Sequence, residues 1–585
     1  MAGLGPGHDR LLPRDVRGAR GGSGVRRPAG RRARRPCLDR QPDRAVPLGR
    51  PRHLGAGRPQ DPAPGHRHGR CACRLQRCDR VGPAGVNGPE PKVARRKLLL
   101  SPGLVGAVLA GHSAVGLALA ALIYLVCLSG SLAVFAQELQ RWEQPAGPVL
   151  ESVAPRAVDE GFNAIRAKAP TLAKKTVSIE LPSAAVPRLT LSAGGDEGVG
   201  GEKWLADAAG RPAARIRRPT SDFIVALHTG LLLPEGIGRT LVGLIGIALL
   251  ALLLSGVLAH PRMIKDAFTL RRGGSWRLQQ ADLHNRLGTW GLPFYLTVTL
   301  TGVFLGLFFV IFASLAATAY KGDLRHAFSD MGFEGERPQQ TAAAVPSMSA
   351  MIEVVRAKAP EASIRSVSIE RAGTSGQKVN VTVHRPGQLS TYERYVFDTS
   401  GRMVDSPKAT GETISRQILF ALQPLHFGWF GGIVVKAAYG LLGLALCVMT
   451  SSGVTIWLAR RRDKGRPAPM WERIWTATIW GQPVALALAA AVPVLWRSET
   501  AAAMGWAAGA ASAFALACLY RNDRALALTL RLLTAVLLVA LAVTHGVVWS
   551  RQMEDSAGWI VDAVLIVGAA VLAAPLSKRA AARPS

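Results

Sequence analysis

Two stretches of this chain repeat each other in register, and each carries a histidine at the mouth of an apolar run. Gly111-His112-Ser113-Ala114-Val115-Gly116 opens a run that includes Ser129-Gly130, and Leu283-His284-Asn285-Arg286-Leu287-Gly288 opens one that includes Thr301-Gly302. In both, histidine precedes its first glycine by four residues and the Ser/Thr-Gly glycine by eighteen. A second pair repeats as well. Leu227-His228-Thr229-Gly230 precedes the run ending Ser255-Gly256-Val257, and Leu425-His426-Phe427-Gly428 precedes the run ending Ser452-Gly453-Val454. A chain built this way folds as two copies of one membrane unit, with four histidines in two symmetry-related pairs. Imidazoles paired between helices suggest a shared cofactor, and heme iron is the group that most naturally takes two axial histidines.

The apolar runs are long enough to span a bilayer as helices, and the 585-residue chain is 49% hydrophobic. Eight spans are expected, near 113–136, 238–260, 287–313, 432–458, 480–496, 502–519, 526–548 and 557–575. The net charge of +32 invites a nucleic-acid reading, but its distribution opposes one. Residues 1–97 hold 24 Lys/Arg against 7 Asp/Glu. That Arg-, Gly- and Pro-rich segment has too little apolar content to bury a core and reads as disordered or as a misassigned start, with the natural start expected near Lys92 to Lys97. Its His66, His68, Cys71, Cys73 and Cys78 do not follow a standard zinc spacing. The remaining cysteines, Cys127, Cys447 and Cys518, lie in apolar runs, so no structural disulfide is implied.

Basic loops set the expected orientation. Segments 261–286 and 459–473 carry six Lys/Arg each, and Arg521, Arg524, Lys578, Arg579 and Arg583 fall on the same side if eight spans cross. Both termini are then cytoplasmic, with segments 137–237 and 314–431 outside. These two segments repeat too. Ala164-Ile165-Arg166-Ala167-Lys168-Ala169-Pro170 with Val177-Ser178-Ile179-Glu180 matches Val354-Val355-Arg356-Ala357-Lys358-Ala359-Pro360 with Val367-Ser368-Ile369-Glu370. Each copy reads as an amphipathic helix followed by alternating strands, and Asp398-Thr399-Ser400-Gly401 gives a hairpin turn.

This order of span, external helix-and-strand module and returning span, all duplicated, resembles the PepSY-associated transmembrane proteins. The similarity covers about 100–462 and is most specific from Asp282-Leu283-His284 to Leu300-Thr301-Gly302. It implies a membrane α-helical bundle of duplicated TM–PepSY–TM units with two small extracytoplasmic α+β modules and about eight transmembrane helices. The expected divisions are 1–97, a first unit 98–262, a second unit 263–462 and a four-helix membrane segment 463–585 without an assignable motif. Some members of that family are siderophore-linked ferric reductases that bind two hemes, so the resemblance implies a multi-pass protein of the bacterial inner membrane.

His112 and His284 start equivalent outgoing helices and are expected as an inner pair, and His228 and His426 precede equivalent returning helices and are expected as an outer pair; since a span of about 20 residues rises about 30 Å, fast transfer between the levels needs ligands set deeper than the span ends or a crossed pairing. All four are candidate axial ligands to heme iron, with two hemes b expected. The simpler explanation is that a duplicated fold retains histidine to cap or bond a helix end. His260, His326 and His545 read as interfacial residues satisfied by water or headgroups, and His384 as a surface residue. Arg239 and Lys436 are candidates to pair with heme propionates or, alternatively, to snorkel to the membrane interface. Tyr124, Trp290, Phe294 and Tyr295 read as packing residues.

The function expected is electron transfer to an extracytoplasmic ferric complex, a ferric siderophore. A cytoplasmic flavoprotein reductase or quinol supplies the electrons, since no dinucleotide-binding glycine motif is present. Membrane lipid is an expected partner and nucleic acid is not. The alternative is a non-enzymatic protein whose modules bind a peptide, protease or siderophore through their sheet edges, or which serves as a transport subunit.

Overall fold

The computed structural model describes residues 101–580 apart from 195–200, 261–266, 269–274, 324–325, 327–340, 386–388, 390–392, 407–413, 497 and 499. The proposed start near Lys92 and the His66–Cys78 cluster lie outside the described residues. Among the described residues, seven helices are long and apolar enough to cross a membrane, with an eighth crossing if a bent pair counts as one. The protein is therefore a multi-pass membrane protein.

The first unit opens with α1 (Pro102–Ala133), whose amino end is capped by the Ser101 hydroxyl and begins on proline. After a break at Val134–Phe135 the chain forms α2 (Ala136–Glu143), then the first module: α3 (Arg156–Lys168), α4 (Pro170–Ala173), β1 (Thr176–Glu180), β2 (Leu189–Gly194), β3 (Glu202–Ala206) and β4 (Pro212–Arg215). Helices α5 (Pro219–Gly230) and α6 (Glu235–Ala259) complete the unit. The second unit repeats this plan. Helices α7 (Trp276–Trp290) and α8 (Leu292–Gly306) stand where α1 stands, followed by α9 (Phe308–Ala319), α10 (Met348–Lys358), β5 (Ser363–Glu370), β6 (Lys378–His384), β7 (Glu393–Phe397), β8 (Met403–Asp405), α11 (Ile414–Phe427) and α12 (Gly432–Asp463).

The span expected at 287–313 is corrected at both ends. The helix begins earlier, in the polar turns of α7, and continues through Gly291, where the Gly291 and Tyr295 N–H groups keep their helical bonds. At Leu307 it stops, and α9 turns 63° away from α8. Phe308–Ala319 is as apolar as the span before it, so hydropathy alone did not mark the bend. This break corresponds to the one between α1 and α2.

The two modules are not separate sheets. β1 pairs antiparallel with β5, giving one eight-stranded sheet in the order β4-β3-β2-β1-β5-β6-β7-β8. Ser178 pairs with Ser368, Val177 with Ile369 and Ile179 with Val367. The repeat axis thus passes through the Ser178–Ser368 pair, because residues equivalent by duplication face each other there. The helix layer meets on the same axis. Asp159 of α3 accepts bonds from the Met348 N–H (2.7 Å) and the Ser349 hydroxyl (2.5 Å), capping α10 of the other module. Under these helices Phe162, Ile165, Ile179, Leu191, Ile352, Ile369, Val381 and Phe397 form one continuous core.

In the membrane part, α1 packs against α6 and α12, and α8 against α6. Equivalent glycines make these crossings close. A Cβ on Gly243 would lie 2.6 Å from Leu307 and one on Gly440 would lie 2.7 Å from the Phe135 ring. The segment after the repeats forms α13 (Pro469–Leu495), α14 (Ala501–Leu519), α15 (Asp523–Trp549) and α16 (Ser556–Ala580), which pack on one another, on α1, α2 and α5 of the first unit and, through α13, on α12 of the second.

Candidate functional site

The fold brings the four repeated histidines together as two pairs. The His112 and His284 rings lie 6.4 Å apart between centroids with planes at 84°, and the His228 and His426 rings lie 6.1 Å apart with planes at 23°. An imidazole nitrogen binds a transition metal at about 2.0–2.1 Å, so one ion held on both sides places the ring centroids about 6–6.5 Å apart. Both pairs have that separation.

Each ring is held through Nδ1 by its own unit. His112 Nδ1 bonds the Ser255 hydroxyl at 2.9 Å, and His284 Nδ1 bonds the Met449 carbonyl at 2.9 Å and the Ser452 hydroxyl at 3.1 Å. His228 Nδ1 bonds the Val126 carbonyl at 2.9 Å, and His426 Nδ1 bonds the Thr301 hydroxyl at 3.1 Å. A carbonyl accepting from Nδ1–H fixes the tautomer that leaves the Nε2 lone pair for a metal, which is the common second-sphere arrangement of metal-bound histidine.

The Ser/Thr-Gly pairs explain themselves in this geometry. A Cβ on Gly130 would sit 2.6 Å from His228 Cε1, and one on Gly302 would sit 2.8 Å from His426 Cε1. Gly256 and Gly453 face His112 and His284 at 3.6 and 3.5 Å. Every Ser/Thr-Gly step therefore seats one imidazole. Their recurrence was visible in the sequence, but their partner histidines were not, because each pairing crosses between helices. Among the other glycines, Gly116 meets Leu252 and Gly288 meets Met449, so those two serve packing.

The pairs occupy two levels along α1. His112 and the residues that hold His228, Val126 and Gly130, are separated by about 21–27 Å of helix at 1.5 Å per residue. Tyr124, Leu128, Tyr295, Leu446, Cys447 and Met449 fill the interior between them. Among the described residues no group of three or more His, Cys, Asp and Glu side chains converges as a metal cluster. The donor set is two imidazoles per level, which fits a macrocycle-bound iron that needs only axial ligands from the protein.

Other residues singled out in the sequence have partners within the protein. Lys436 is buried and engaged by Glu138 of α2 at 2.7 Å and Gln137 at 2.9 Å, and Arg239 pairs with Glu235 at 3.0 Å. His545 is not satisfied by water or headgroups. It is 1% exposed, bonds Asp562 through Nδ1 and the Trp142 carbonyl through Nε2, both at 2.8 Å, and stacks on the Trp142 ring. The Trp142 indole N–H in turn donates to Asp562 at 2.8 Å. Beside them Asp555 receives Arg141 of α2 and Arg188 of the first module at 2.6 and 2.9 Å. These buried bonds dock the last two helices on α2, while Leu486, Ala489 and Ala502 cover Phe223, Ile224 and Leu227 of α5. Glu143 at the end of α2 caps α5, accepting from the Thr220 and Ser221 N–H groups at 2.5 and 3.0 Å. The helix that carries His228 is thus braced from two sides.

Duplicated spanning helices around paired histidines, with a shared sheet at one end, define a class of multi-pass membrane protein. The family model for the PepSY-associated TM region matches residues 109–460, and the chain belongs to that family. The match takes in all four histidines and ends before the last four helices. An uncharacterized protein of Pseudomonas aeruginosa is 32% identical over 259 residues, which are 42% of this chain and 64% of that relative. The chain therefore spans just under two thirds of that protein's length.

Proposed function

We propose that this protein is a two-heme electron carrier of the bacterial inner membrane that reduces an extracytoplasmic ferric complex, a ferric siderophore, for iron acquisition. The observation that carries the reading is the spacing of the two imidazole pairs, 6.4 and 6.1 Å, each ring anchored at Nδ1. His112 with His284 and His228 with His426 would be the axial ligands of two b-type hemes. Such a heme supplies a one-electron couple at an iron with no open coordination position, which suits electron transfer rather than substrate ligation.

The chain's own residues do the rest. Ser255, Met449, Val126 and Thr301 orient the rings, the glycines clear space beside them, and the apolar interior keeps water from both levels. The Lys/Arg-rich loops support an orientation with the sheet outside and both termini in the cytoplasm. A cytoplasmic flavoprotein or quinol is the donor. On the sheet side the acceptor is ferric iron bound by hard oxygen ligands, which hold ferrous iron less tightly and release it on reduction. His228→Ala and His426→Ala are expected to abolish ferric chelate reduction on the sheet side while leaving membrane insertion intact; unchanged reduction would sink the assignment.

A further inference from the structure

Two hydroxyls between the histidine levels have no partner. Tyr295 is fully buried and its Oη makes no hydrogen bond, and Thr299, 5% exposed, leaves its Oγ1 equally unpaired. They stand one turn apart on α8, between His284 and the Thr301-Gly302 step that seats His426. Thr299 departs from its neighbours. Thr297 and Thr301 on the same helix return their hydroxyls to the carbonyl four residues back, at 2.9 and 2.6 Å. Tyr295 folds its ring over Gly291, where a Cβ would lie 2.4 Å from Oη, and packs with Leu253, Leu446 and Met449. Met449 is the residue whose carbonyl holds His284. Packing alone does not explain these side chains, since a buried hydroxyl without a partner is costly and phenylalanine or valine would fill the same space without that cost.

The duplication sharpens the point. Fifteen residues after His112 the first unit has Cys127, where the second unit has Thr299; eleven residues after His112 it has Ile123, where the second has Tyr295. At these two repeat positions the hydroxyls are therefore carried by α8 and not by α1.

We propose that the Tyr295 and Thr299 hydroxyls are hydrogen-bonding contacts to the groups held at the inner and outer histidine pairs, Tyr295 serving the inner level and Thr299 the outer. They are positioning residues that set the relative potentials of the two levels, and the assignment rests on the two-heme reading above. Hydrogen bonding around a metal group is one of the protein's main levers on its potential.

The test uses the purified full chain and the near-isosteric variants Tyr295→Phe and Thr299→Val. Heme per polypeptide, the two midpoint potentials and thermal melting of the apo and heme-loaded forms are measured for each. Both variants are expected to keep two hemes. Tyr295→Phe should move the inner potential alone and Thr299→Val the outer alone, with levels assigned by His112→Ala and His426→Ala. Melting should respond differently in the two forms. The apo protein, relieved of an unpaired hydroxyl, melts at the same temperature or higher, and the loaded protein melts lower. Two hemes with unchanged potentials would overturn this proposal and leave the two-heme reading standing. Shifted potentials without any ferric chelate reduction would support it and sink the ferric reductase assignment. A heme-free wild-type protein would overturn both.

Discussion

His228 and His426 come from different copies of the repeat, yet their rings lie 6.1 Å apart and only 23° from parallel, whereas His112 and His284 meet at 84°. One duplication has produced two sites of the same composition and different ring geometry. The difference is measurable. Nearly parallel axial imidazoles split the iron d orbitals they overlap, while perpendicular ones leave them close in energy. Ferric protein should give two low-spin electron paramagnetic resonance signals, an ordinary rhombic one from the outer pair and a strongly anisotropic one from the inner pair. His284→Ala should remove the second and keep the first.

Gly130 and Gly302, the glycines that face the outer rings at under 3 Å, are expected to be intolerant of even one methyl group. Gly130→Ala places a Cβ 2.6 Å from His228 Cε1 and should cost the outer heme, lowering heme content from two to one. Gly116→Ala, whose Cβ would meet Leu252 at 3.6 Å, is the control and should keep both. Quantified heme per polypeptide reads the difference.

The last two helices should depend on Asp555. Removing this carboxylate leaves Arg141 and Arg188 unpaired where side-chain exposure is 16% and 5%. Asp555→Ala should destabilise the docking of these helices by roughly 3–5 kcal/mol. Limited proteolysis of the 550–555 turn, measured against the wild-type protein, checks this.

The same contact has a pH dependence of known sign. Burial pushes the Asp555 carboxyl up, but the bonds from Arg141 and the Ala557 N–H, with the nearby Arg188 charge, outweigh it and hold the group below the usual carboxylate range. Its stabilisation is complete above the unfolded value of about 3.9 and is lost as pH falls from there through the lower folded value. Protection of the turn should stay constant from neutral pH to about 4 and collapse below it, a loss absent in Asp555→Asn.

The sequence announced what the duplication wrote twice. The four histidines, their pairing, the equivalent spans and both modules all follow from register, because a repeated residue names its own counterpart. Features that depend on contact between non-equivalent positions were hidden. The Ser/Thr-Gly steps were visible as markers, but seating an imidazole from another helix needs the three-dimensional crossing. The Ser178–Ser368 strand junction leaves no signal beyond ordinary strand alternation. His545, Asp555 and Asp562 occur outside the repeat, so nothing in the sequence tied them to Trp142 and Arg141. The pairing of the modules also limits strand addition at the sheet edges. β1 and β5 consume each other's edges, leaving only the short β4 and β8 at the rims.

The most direct test is a reduced-minus-oxidised absorption spectrum of the detergent-purified protein with heme quantified per chain, repeated for His112→Ala and His426→Ala. The account predicts two low-spin b-type hemes in the wild-type protein and one in each variant, with the inner centre lost in the first and the outer in the second. A wild-type protein that carries no heme after expression with ample iron and heme would contradict it.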